Sequence, residues 1–155
     1  MGLVELLLYI STIVIFVRWI YFAHKNLPEL GARYLRFSAA WAAGCFFVPL
    51  INLWMPFLAM RDLAKASRSP ARWDLEDTPG VIVAWWSLWL IVGFLSASSA
   101  RSGINAAEFP QVVAALSIPE CVMAVPLYLL ARLIVRRIWR DQSQRAQAAQ
   151  VTAVA

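Results

Sequence analysis

Side chains able to do chemistry are few in this sequence and stand far apart. His24 is the single histidine, and with Cys45 and Cys121 it makes three soft ligands on three different segments. Zinc sites draw their ligands from close Cys or His pairs, which are missing, so no metal centre is expected and the cysteines read as small apolar residues. The serines of Ser96 to Ser99 could meet His24 in a Ser-His dyad, but neither a G-x-S-x-G elbow nor an orienting acid accompanies them. No glycine-rich phosphate loop, haem motif or pair of catalytic carboxylates occurs. An enzyme is therefore not expected, and neither is a cofactor. In "WDLEDTPG", Asp74, Glu76 and Asp77 either chelate a cation or simply solvate a loop. That loop leads into a helix capped by Thr78 with Pro79 at its first position.

The elements that must position these groups are apolar. Hydrophobic residues make up 61% of the 155, above the ~45 to 50% of a soluble domain. They fall in long blocks separated by short charged segments, the layout of membrane spans. Four spans are predicted, at about 3–22, 34–54, 81–98 and 111–133, giving an all-α, four-span transmembrane bundle as one domain over 1–140. The first span lacks a basic n-region and a cleavage site, so it reads as an uncleaved anchor. The last residues, 141–155, are small and polar and are expected to fray.

Basic residues set the expected orientation. With the N-terminus in the cytoplasm, nine Lys and Arg flank the spans inside and four outside, so the positive-inside rule favours both termini in the cytoplasm of an inner membrane. The net charge of +5 is then a topology signal with a modest pull on anionic lipid, and nucleic-acid binding is not expected.

Two charges fall inside predicted spans, where charge is expensive. Arg18 either snorkels to the interface or pairs with Glu120, which lies at similar depth; Glu120 follows Pro119 and alternatively marks a helix start, where a carboxylate meets the positive helix end.

The run "FFVPLINLWMPFLAMRDL" puts two prolines, an asparagine and a tryptophan into an apolar stretch that ends in charge. Pro49 is expected to kink the second span. Pro56 is expected to open a new amphipathic helix at about 56–67, lying on the cytoplasmic surface with Phe57, Met60, Leu63 and Ala64 in the lipid and Arg61, Asp62 and Lys65 around them. Asn52 would hydrogen-bond carbonyls freed by Pro56, and Trp54 would sit among the headgroups. Small residues of span two, Ser38 to Gly44, are expected to meet those of span three, Gly93 to Ser98. Toward the cytoplasm Trp54 and Phe57 would face Trp85, Trp86 and Trp89, as a vestibule for a small ligand or as interface belt and packing.

This stretch resembles the F-x-P-x-x-N-L-W-x-P-x-x-x-M-R-[DE]-L signature of a bacterial integral-membrane family catalogued as domain of unknown function 4328. "VRWIYFAHKNLPEL", "LRFSAAWAAGC" and "VAWWSLWLI" resemble other pieces of it. The resemblance covers roughly 16–90 and implies a fold and a bacterial membrane, with no activity attached. Two functions follow as expectations. The first is a non-catalytic adaptor or accessory subunit that binds a protein or lipid at the cytoplasmic face. The second is an oligomeric transporter or channel subunit, a homo-oligomer being one form it could take, in which Arg18, Asn52 and Glu120 line a polar path.

Overall fold

A computed structural model describes residues 2–101 and 110–154, with the side chains of 99–101, 110, 112–117, 120–121 and 152–154 outside the description. Among the described residues five α-helices follow in chain order: α1 Leu3–Lys25, α2 Ala39–Gly44, α3 Met55–Arg68, α4 Gly80–Arg101 and α5 Pro110–Val154. Short 3₁₀ turns occupy Cys45–Phe47, Ile51–Leu53 and Pro70–Leu75, and no strand occurs among the described residues. The expected all-helical class holds. The chain divides into two compact units, one of residues 1–79 with 137–155, the other of residues 80–136.

Among the described residues two helices are long and apolar enough to cross a membrane, Leu3–Lys25 with mean hydropathy 2.0 and Gly80–Ser98 with 1.9. Their polypeptide explains this directly, since neither contains a run of polar residues and both exceed the ~18 residues a crossing requires. On α1, Leu3, Leu8 and Ile15 stand on the surface, while Ile20, Ala23 and His24 near its C-terminal end are buried. An apolar helix left exposed on all sides over its first two to three turns suits lipid better than water.

The predicted second span is corrected. Residues 34–54 do not form one helix, because α2 is six residues long and rises only ~9 Å against a hydrocarbon core of ~30 Å. Ser38 caps it, its hydroxyl accepting from the Trp41 amide at 3.2 Å. Pro49 then does more than bend the chain. The Ile51 amide donates to the Pro49 carbonyl at 2.7 Å, closing a tight three-residue turn with Leu50 at φ 65, ψ −51, a conformation that strains a residue with a Cβ by about 1–3 kcal/mol. The chain turns there and enters α3, where Pro56 occupies the first turn as expected.

Within the first unit α2 lies along α1. Ala42 and Ala43 are buried, and Phe46 meets Phe16 edge to face at 5.8 Å. The small residues of α2 thus serve close approach to α1, where a bulkier face would hold the backbones apart. The segment at 141–155, expected to fray, continues α5 to Val154, and its side chains explain why, as shown below. Pro119 and Pro126 lie inside that helix. In the second unit Trp86 stacks on Trp89 at 4.7 Å and 8°, and Trp85 leans on Trp86 at 5.6 Å, an aromatic ladder along one side of α4.

Candidate functional site

α3 is the element on which the charged side chains converge. Its buried residues are Pro56, Ala59, Met60, Asp62, Leu63, Ala66 and Ser67, a stripe at helical spacing that faces protein. The expectation that Phe57, Met60, Leu63 and Ala64 dip into lipid is corrected: Met60 and Leu63 belong to the core of the first unit, and the buried face is turned to include an aspartate.

Asp62 is 3% exposed. A carboxylate at that depth must be paired. Arg61 reaches it with two donors, Nε at 2.9 Å and Nη2 at 2.7 Å from Oδ1, a fork that suits guanidinium geometry. Arg36, from the loop after α1, brings its Nε to 3.5 Å from Oδ2, an ion pair too long to count as a hydrogen bond. His24 closes the cluster from α1. Its Nδ1 donates to the Ile20 carbonyl at 3.1 Å, and the ring lies near the Ala59 carbonyl and within electrostatic reach of Asp62.

The end of α5 pins the same elements. Gln142 donates from Nε2 to the Ala23 carbonyl and to the Ser67 hydroxyl, both at 2.9 Å, and accepts from Asn26 at 3.4 Å. Arg145 donates to the carbonyls of Ser67 and Arg68, the open C-terminal end of α3 where cations are favoured. Gln142 therefore ties α1, α3 and α5 through one side chain. Gln142→Ala, which leaves two partly buried groups unpaired, is expected to lower stability by about 1–2 kcal/mol in a denaturant titration in detergent micelles, with Gln144→Ala as the exposed control.

The turn Pro70–Leu75 adds a second face. The Trp73 indole donates to the Arg33 carbonyl at 2.9 Å, Lys65 donates to the Asp74 carbonyl at 3.4 Å, and Arg68 stands 3.9 Å from Glu76. Between the loop and this turn lies a recess of about 560 Å³ lined by Gly31, Arg33, Tyr34, Arg36, Trp73 and Asp74 among others. The basic stretches 25–36 and 61–72, which a span through 34–54 would put on opposite sides, meet at the C-terminal end of α1 through Arg36 with Asp62 and Trp73 with Arg33.

Other expected residues fall elsewhere. Arg18 lies over the Phe22 ring at 5.7 Å, one turn nearer the buried end of α1, beside an apolar groove of about 490 Å³ between α1 and α2. Asn52 does not serve carbonyls freed by Pro56: its Oδ1 is buried without a hydrogen-bond partner among the described residues, and its amide nitrogen is engaged by none of the described hydrogen bonds. Trp54 is half exposed. The side chain of Glu120 lies outside the described residues, as does that of Cys121. Among the described residues no group of His, Cys, Asp and Glu could hold a metal.

His24, Arg36, Gln142 and Arg145 were not anticipated as one cluster. A signal for Asp62 existed, since Ala59, Asp62, Leu63 and Ala66 follow the i, i+3, i+4, i+7 spacing of a buried face.

The family described as Domain of unknown function (DUF4328) matches residues 1–140, nearly the whole chain. The chain belongs to the DUF4328 family. Its match takes in α1 to α4 and the Asp62 cluster, stopping just before Gln142. Comparison with curated proteins and with solved structures found no match.

Proposed function

We propose that this DUF4328 protein is a non-catalytic membrane module whose cytoplasmic cap binds a protein or lipid of the inner surface. The cap consists of the loop after α1, α3, the Pro70–Leu75 turn and the end of α5. Three helical stretches cross: α1, α4 and the part of α5 up to about residue 136. The stretch from α2 to Leu53 is a re-entrant hairpin beside α1, reaching ~13 Å from Lys25 at the level of Phe16, by helix rise. Irregular backbone at that depth is tolerated where protein covers it.

The observation that carries this is the meeting of the two basic stretches, 25–36 and 61–72, at one end of α1. A cytoplasmic N-terminus presumes residues 25–36 and 61–72 on opposite sides, so their meeting at one end of α1 supports the reverse orientation. Ten of the fourteen Lys and Arg belong to the cap, and Arg18 lies within α1. The positive-inside rule then favours a cytoplasmic cap, a cytoplasmic C-terminus and an external N-terminus.

Single cysteines test the arrangement, introduced at Glu5, Glu29 and Asp77 after Cys45 and Cys121 are replaced by Ala. In intact spheroplasts an impermeant maleimide is expected to label position 5 alone, and positions 29 and 77 only after permeabilisation. Labelling of 29 and 77 from opposite faces refutes the cap. Native mass spectrometry from mild detergent tests binding: a stoichiometric protein or lipid should be retained, and R72E with R140E, both on exposed cap residues, should release it. A bare particle that conducts ions would favour a channel instead.

A further inference from the structure

The recess between the loop and the Pro70–Leu75 turn has the chemistry of a headgroup site. Its volume of about 560 Å³ lies in the range of small-ligand pockets. Two guanidinium-bearing residues, Arg33 and Arg36, line it together with one carboxylate-bearing residue, Asp74. Arg33 makes no ion pair among the described residues, and Arg36 meets Asp62 through Nε, which leaves its terminal donors for another acceptor. The Asp74 side chain has no ion pair among the described residues either; Lys65 reaches only its carbonyl.

Two aromatic residues complete the lining. Trp73 is fixed by its bond to the Arg33 carbonyl. Tyr34 is 95% exposed and held at φ 56, a left-handed conformation unusual for a residue of its bulk. Gly31 at φ 93 makes the turn that brings the loop round, with open space where a Cβ would stand. A strained backbone that holds an aromatic ring outward, beside an anchored indole, suits the headgroup layer, where Trp and Tyr are enriched.

We propose that this recess binds the phosphoethanolamine headgroup of a membrane phospholipid. Arg33 and Arg36 hold the phosphate, Asp74 accepts from the ammonium, and the rings of Trp73 and Tyr34 flank the cation. Two cations and one anion match a group that carries one phosphate and one amine. A purely anionic headgroup would leave Asp74 facing a like charge. The assignment rests on the cytoplasmic cap proposed above.

The test uses the full chain in detergent micelles, with native mass spectrometry after titration with short-chain phosphatidylethanolamine, phosphatidylglycerol and free glycerophosphoethanolamine. Phosphatidylethanolamine is expected to be retained about tenfold better than phosphatidylglycerol, and R33Q to weaken it about tenfold, the loss of one charge-assisted contact. D74N should remove the preference for the amine while leaving phosphate binding. Y34G, which relieves the left-handed strain, should weaken binding severalfold without lowering the melting temperature, so a loss there is no unfolding artefact. Equal retention of both lipids by the unaltered chain, or no effect of R33Q, overturns the proposal. Glycerophosphoethanolamine binding as tightly as the lipid overturns the bilayer as its source. If cysteines at 29 and 77 label from the cytoplasmic face and phosphatidylethanolamine is still not retained, the headgroup site alone falls; labelling from opposite faces removes the cap first.

Discussion

Replacing Arg61 by Ala is expected to cost about 3 kcal/mol of folding free energy, the range for removing one partner of a buried ion pair. Asp62 is 3% exposed and takes two donors from Arg61, whose side chain is 20% exposed. Without that fork the carboxylate keeps only Arg36 at 3.5 Å, whose side chain is 52% exposed. An ion pair that open to water contributes no more than about 1 kcal/mol. The expected order of loss is therefore Arg61→Ala above Asp62→Asn above Arg36→Ala. Arg61→Lys should fall between the native protein and Arg61→Ala, because an ammonium keeps the charge and loses the second donor. Denaturant titrations in detergent micelles, followed by tryptophan fluorescence, measure the series. Equal losses for Arg36→Ala and Arg61→Ala would mean that Asp62 is held by the loop and not by its neighbour on α3.

Leu63→Ala is expected to cost about 2–5 kcal/mol, the cavity range for a buried leucine. Leu63 has no exposed surface, whereas Leu53, in the turn before α3, is 53% exposed and should cost under about 1 kcal/mol when truncated, as surface changes do. The contrast distinguishes a helix packed on protein from one lying in lipid. A leucine facing acyl chains leaves no fixed cavity when shortened, since lipid fills the space. Small and equal losses at both positions would return α3 to the membrane surface.

Much of this architecture was legible in the sequence, for identifiable reasons. The stretches from Leu3 and from Gly80 are apolar without interruption, so their membrane-type helices follow from composition and length alone. Pro49 and Pro56 announce a break, and Pro56 does open α3, because proline at the first turn removes only a donor that the helix leaves idle. The second span failed for a related reason. A hydropathy window averages composition and is blind to direction, so a helix through 34–54 and a hairpin of two short apolar legs score alike. The turn at Leu50 reverses the chain through a dihedral pair that no residue there advertises, since glycine is the usual signal for positive φ.

The misplaced turn carried the site with it. A crossing at 34–54 puts Arg36 and Asp62 on opposite sides, and leaves Asp62 among the charges around a lipid-facing stripe of the helix at 56–67. The polar tail from Asp141 read as fraying because Gln142 and Arg145 have no partners within their own helix; their acceptors are the carbonyls of Ala23, Ser67 and Arg68, supplied by other elements.

By itself the sequence determined that this chain is helical, that α1 and α4 are apolar enough to cross a bilayer, that it belongs to the DUF4328 family, and where α3 begins. These depend on local composition and on proline's missing donor, both readable in place. Only the tertiary structure decided which end of α1 meets α3, that Asp62 is buried between two arginines, and that a recess forms between Arg33 and Asp74. Those outcomes depend on how far and in which direction the chain turns between helices, and a turn of that kind is set by the fit of surfaces distant in sequence.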